Sequence, residues 1–144
     1  VRYDLEDLVR ISSDDCACCW HLPTIEVLGR SPVGYPIGGV RIAQHQVEQL
    51  IFGLPERRGV LFWRGRVRQA LLEVEIEVAT GQREAACAEL TAAIHASLGV
   101  DCEVRGVPVG TLVPPGTLTT TREFVKPKNL FATDEDWSRA VIYY

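Results

Sequence analysis

A chain of 144 residues, 47% apolar and 24% charged, is long enough to bury one hydrophobic core and too short for two ordinary domains, and its composition is not that of a disordered segment. Its net charge of -4 supplies no positive field for nucleic acid or anionic lipid, so neither is expected as a partner. The charged start VRYDLEDLVRI is no signal peptide, and no apolar run reaches membrane-spanning length, so a cytoplasmic location is expected.

Leu8, Val9 and Ile11 predict a short strand that stops at Ser12-Ser13-Asp14-Asp15. The cluster CACC follows; the chain's five cysteines are an odd number, and the three in CACC are too close together for ordinary disulfide geometry. Thr24 to Leu28 reads as a second strand. GRSPVGYPIGGVRI holds four glycines and two prolines, which predicts a sharply turning connection and an internal boundary.

Val47, Leu50 and Ile51 recur at helical spacing over residues 44–52, and Gly53 with Pro55 ends that helix. Val60 to Trp63 and Leu71 to Val78 are expected as strands joined around Arg64-Gly65-Arg66. In the second, Leu72, Val74, Ile76 and Val78 face one side, while Glu73, Glu75 and Glu77 face the other, so that either one face of the sheet is wet there or its edge is charged. Arg64, Arg66 and Arg68 likewise read as a solvated face.

Residues 82–98 predict the longest helix, with Cys87, Leu90, Ile94 and Leu98 on one stripe and Gly99 as C-cap. Residues 101–107 alternate as a strand, VPPGTLTTT reads as loop, and DEDWSRAVIYY as a last helical turn. Cys87 and Cys102 fall on apolar faces and are expected in the core. The fold class that follows is α+β: a small, mainly antiparallel sheet with two helices packed on it, preceded by a short β segment.

Positive charge is supplied almost wholly by arginine. The chain has two lysines, Lys126 and Lys128, both in TREFVKPKNLF. That stretch is one of four that resemble, in order, the closing part of the AMP-forming ligase superfamily, and in particular the phenylacetate–coenzyme A ligase branch. RYDLED resembles that branch's R-Y-R-T-G-D. GRSPVGYPIGGVRIAQHQVEQLI is similar to its G-R-S-D-D hinge and following helix, CACCWHLP to its C-x-C-G-x-x-x-P, and the lysine stretch to its terminal G-K-x-x-R.

The resemblance implies a division into residues 1–30, the end of a large N-terminal domain; 31–41, a hinge; and 42–144, a C-terminal lid. It implies ATP with Mg2+ and coenzyme A as cofactors of the full-length enzyme, a small carboxylate as substrate, and the large domain or a separate subunit as partner. Asp7 matches the ribose-binding aspartate, a carboxylate able to accept from both vicinal hydroxyls. Arg30 matches the arginine before the hinge, whose fork suits phosphate or ribose oxygens. Gly39 keeps the glycine that lets backbone pass close to the coenzyme A arm, and Arg41 stands where other branches also carry arginine. Lys126 matches the lysine that offsets charge gathering on the α-phosphate during adenylation, and Lys128 the next basic position.

Cys16 and Cys18 match a C-x-C pair that in some relatives forms half of a zinc site, the other half lying on the large domain. From the residues alone, Asp7, Arg30, Lys126 and Lys128 have an alternative reading as solvated surface groups, and the cysteines read first as reduced and unligated. The family's aspartate and glycine are replaced at Pro32 and Val125. Proline fixes φ, so hinge motion is expected at Gly34 and the Gly38-Gly39 pair. These departures suit a second reading, a free-standing α+β module that binds a ligand or partner without chemistry; a zinc-binding interaction module is a third. The chain starts at Val1, as loss of an initiator would give, and contains no methionine; both are also expected of a piece of a longer chain.

Overall fold

A computed structural model describes residues 7–13, 22–30, 34–120 and 128–140. The chain divides into two compact units, Val1–Gly34 and Tyr35–Tyr144. In the first, β1 (Asp7–Ser12) and β2 (Thr24–Arg30) pair antiparallel, with a bulge at Leu8/Val9. Val9 and Ile11 lie opposite Val27 and Ile25, so period-2 alternation puts all four on one face. That face is bare: the four are 44%, 63%, 65% and 63% exposed, in that order. Arg10 and Glu26 pair at 2.9 Å on the other.

The second unit opens with β3 (Tyr35–Ile37) and β4 (Val40–Ile42), an antiparallel hairpin closed by Gly38-Gly39. Both glycines have positive φ, 53° and 89°, which a two-residue turn matching the strand twist requires and which side chains resist. The composition of this stretch foretold a sharp turn but not a packed element, and Ile37 and Ile42 are in fact fully buried. Helix α1 (Gln44–Phe52) follows, its first turn stapled by Ala43 N donating to Gln46 Oε1 at 2.9 Å.

Strands β5 (Phe62–Arg68) and β6 (Leu71–Glu77) form an antiparallel hairpin. Its turn is Gln69-Ala70, with Gln69 at φ 48°, and not Arg64-Gly65-Arg66, which lies mid-strand. Gly65 serves close packing instead: a Cβ there would sit 3.2 Å from Leu130 Cδ1 and 3.3 Å from both Glu73 O and Trp63 Cζ3. Helix α2 (Arg83–Leu98) then crosses back to β7 (Asp101–Val107), parallel to β6, because such a crossover is what parallel pairing needs. Gly99, at φ 66°, donates to His95 O and ends α2 as expected. After a short helix α3 (Pro115–Thr120), in a stretch expected as loop, β8 (Leu130–Phe131) pairs parallel with β5. The sheet order is β7-β6-β5-β8. The class is α+β, with three antiparallel pairings and two parallel ones, both parallel pairings falling in this four-stranded sheet.

One face of the sheet carries the core: Trp63, Val67, Leu72, Val74 and Ile76 pack with Val47 and Ile51 of α1 and with Ala86, Leu90 and Ile94 of α2. Cys87 and Cys102 pack against its margin, where burial raises both thiol pKa values.

The opposite face, expected wet, is covered by its own charges. Arg64 lies opposite Glu75 and Arg66 opposite Glu73; the closest pairs are 2.6 and 2.7 Å. The guanidiniums of both lie over the Trp137 ring, 4.5 and 4.4 Å from its centroid, where the indole attracts cations. Arg68 alone of the three stays largely exposed. Glu77 is only 1% exposed. Its carboxylate accepts from the backbone N–H groups of Gly110 and Leu112 at 2.8 Å and of Val113 at 3.2 Å, fixing the loop between β7 and α3. Glu77→Ala strands two buried amides and one half-buried one and is expected to lower urea-unfolding stability by about 3 kcal/mol, with Glu77→Gln less damaging; a loss of under about 1 kcal/mol for the alanine variant contradicts this clamp.

Candidate functional site

Lys126, Cys16 and Cys18, together with Pro32 and Val125, lie outside the described residues. The chain is described again from Lys128, and what holds it there defines the site. Strand β8 is only two residues long, too short to dock by its own pairing, and the second unit supplies the rest. Gly65 N donates to Asn129 O at 2.7 Å. Gln44, the first residue of α1, turns its Oε1 to the backbone N–H groups of Asn129 and Leu130, at 2.9 and 3.3 Å. Oriented with its oxygen toward Trp63, the buried Asn129 amide accepts from the indole Nε1 at 3.1 Å and donates to Lys128 O at 3.3 Å. Thr133 Oγ1 donates to Val67 O at 2.6 Å on the far side.

Lys128, the expected second basic group, is ion-paired with Glu135. Its ammonium lies 5.0 Å from the Phe131 ring centroid and 5.9 Å from that of Tyr35, within the range of cation–π attraction. Glu135 is shared: Oε1 takes Lys128, while Oε2 accepts from Tyr35 Oη at 3.1 Å and from Ala132 N at 2.7 Å. Burial alone would raise the Glu135 pKa and lower that of Lys128. The contacts win in both cases, so Glu135 is held below its ordinary value by Lys128, the Ala132 amide and Tyr35, and Lys128 above its own by Glu135 and Tyr35. Burial raises the Tyr35 phenol.

Lys128 therefore sits at the base of the β3–β4 hairpin that carries Gly39 and Arg41. Gly39 occupies the turn, with nothing within 4 Å of where a Cβ would stand, so it is required by backbone conformation and leaves open space beside it. Arg41 is exposed on β4, opposite Pro36. In the other unit, Asp7 and Arg30 are register partners at the open end of β1 and β2, so two residues singled out separately in sequence share one backbone pair. Among the described residues no three His, Cys, Asp or Glu side chains group as a metal site, and no helix is long and apolar enough to cross a membrane.

Tyr35, Gln44, Asn129 and Glu135 were not singled out in the sequence. The available signal was weak: a buried tryptophan needs an acceptor for its indole N–H, and Trp63 finds it in Asn129.

No family model and no curated protein matches the chain. Solved structures do. The 2-hydroxyisobutyryl-CoA ligase in the postadenylation state, in complex with 2-HIB-AMP, matches with a TM-score of 0.66 and 16% identity over 92% of this chain. The same ligase with R3-HIB-AMP gives 0.65 and 17% over 92%, and the GH3.15 acyl acid amido synthetase 0.57 and 10% over 93%. In each case the match takes up 28% of the solved chain. The fold is thus one found within these ligase and synthetase structures, and this chain spans little more than a quarter of their length.

The sign of the Glu135 shift sets a pH dependence. A carboxyl depressed in the folded state adds stability that is present above its unfolded value, near 4.5, and lost as pH falls through the folded value. Glu135→Gln is expected to remove this acid-side loss. The two unfolding-stability profiles should differ by about 1 kcal/mol or less at neutral pH, the pair being partly solvent-screened, and converge below the folded pKa. Parallel profiles down to strong acid contradict the pairing.

Proposed function

We propose that the chain is the closing, lid portion of an ATP-dependent, AMP-forming carboxylate–coenzyme A ligase of the phenylacetate–coenzyme A ligase type, with residues 1–30 the end of a large N-terminal domain, the hinge at the start of 31–41, before the β3–β4 hairpin that opens the second unit at Tyr35, and the hairpin with 42–144 the lid. The observation that carries this reading is the match of 92% of the chain to a ligase captured with its acyl-adenylate, joined to the order of the motif residues Asp7, Arg30, Gly39, Arg41 and Lys126. The first unit supports it independently. Among its described residues it is a two-stranded hairpin, which by itself is marginal in water, and the bare face of Val9, Ile11, Ile25 and Val27 suits packing within a larger domain.

In this reading the substrate carboxylate attacks the α-phosphorus of ATP, forming a P–O bond as the bond to pyrophosphate breaks. Coenzyme A thiol, losing its proton, then attacks the acyl carbon and AMP departs. Asp7 accepts from the ribose hydroxyls, and Arg30 holds phosphate or ribose oxygens with its fork. Lys126 brings a compact positive charge to the α-phosphate as negative charge accumulates there. On the β3–β4 hairpin, Gly39 leaves room for the coenzyme A arm, and Arg41 offers a cation to its phosphates. The location is cytoplasmic, where ATP and coenzyme A are available.

In the full-length enzyme, Lys126→Ala is expected to lower acyl-adenylate formation by roughly 10²- to 10³-fold, the loss typical of removing one such electrostatic group. Thioester formation from supplied acyl-adenylate should stay near the wild-type rate. Quenched-flow measurement of the two half-reactions decides it, and equal loss in both overturns the role.

A further inference from the structure

The hairpin that carries Gly39 and Arg41 is gripped at both ends by the segment that follows Lys126. At its start, Tyr35 Oη reaches Glu135 at 3.1 Å. Two residues past its end, Gln44 Oε1 receives the amides of Asn129 and Leu130. Between these grips lies Lys128, whose ammonium is turned onto Glu135 and the rings of Phe131 and Tyr35.

A lysine that bound nucleotide phosphate from this position would have to leave Glu135. The carboxylate would then stand unneutralised beside the incoming phosphates, an unfavourable pairing of like charges. Glu135 has no spare role to fall back on, since its other oxygen already serves Tyr35 and Ala132.

We propose that Lys128 is a positioning residue, not a nucleotide ligand: through Glu135 and Tyr35 it ties the segment that begins at Lys128 to the base of the β3–β4 hairpin, an anchor two positions after Lys126 in sequence on which the action of Lys126 depends. The proposal rests on the reading of the chain as a ligase lid. Near-attack geometry is what such an anchor protects, and an error of about 1 Å in presenting a reacting group costs on the order of a hundredfold in rate.

A double-mutant cycle in the full-length enzyme, with a chemical probe beside it, tests this. Peptide mapping after brief amine acetylation, with fragmentation of the peptide that holds both Lys126 and Lys128, reads Lys128 separately from Lys126. Glu135→Gln and Tyr35→Phe are expected to speed its modification. Lys128→Gln and Glu135→Gln should each lower kcat for adenylation by a similar factor, roughly ten to a hundred, with KM for ATP unchanged. The double variant should be no worse than either single one, and Lys128→Arg, which keeps the ion pair, should recover much of the rate. A raised KM for ATP in Lys128→Gln with a normal Glu135→Gln enzyme, or additive losses in the double variant, overturns the positioning role while leaving the ligase reading intact. A folded wild-type enzyme that makes no acyl-adenylate overturns the ligase reading, and this role with it.

Discussion

Placement of the C-terminal segment depends on one close approach, that of β8 to β5 at Gly65. Its amide donates to Asn129 O at 2.7 Å, and its missing side chain leaves room for Leu130 beside Trp63. A two-residue strand gains little from its own ladder bonds, each worth only about 1 kcal/mol net. The seat is completed by side chains that reach the backbone of this segment or are reached by it: Gln44 beneath it, Asn129 capped by the Trp63 indole, Thr133 on Val67 O. Each is directional, so together they fix register as well as position.

The four-stranded sheet is covered on both faces, by different means. On one, α1 and α2 bury aliphatic side chains and Trp63. On the other, the Arg64–Glu75 and Arg66–Glu73 pairs lie under Trp137, and Glu77 binds the loop after β7 with three backbone hydrogen bonds. A sheet with parallel pairings at β6–β7 and β5–β8 is normally sheltered in this way. Here charged residues provide half the shelter, which fixes the loop and the Trp137 turn against particular partners.

Much of the fold was legible because it is local. The period-2 run from Leu71, the helix ended by Gly99 and the short helix stopped at Gly53 follow from side chains a few positions apart. What was misread depends on distant partners. Gly65 looks like a turn residue until Leu130 is seen against it, and the true turn at Gln69-Ala70 carries no glycine. The face of Glu73, Glu75 and Glu77 looks solvated until the arginines of β5 and Trp137 are brought over it. The candidate site divides the same way. Gly39, Arg41, Asp7, Arg30 and the lysines were reached through motif order, whereas Tyr35 meets Glu135 across 100 positions and Gln44 meets Asn129 across 85, separations at which no sequence pattern speaks.

A hairpin with room at its turn and the segment that begins at Lys128 are locked at a common base, an arrangement that suits the proposed role of the chain as a ligase lid. Carboxylate-dependent exchange of labelled pyrophosphate into ATP, by the folded full-length gene product across a panel of small aryl and acyl carboxylates, tests this most directly. The account predicts exchange with at least one member of the panel and none when carboxylate is omitted. Absence of exchange with every carboxylate, from a protein shown to be folded and to bind ATP, would contradict it.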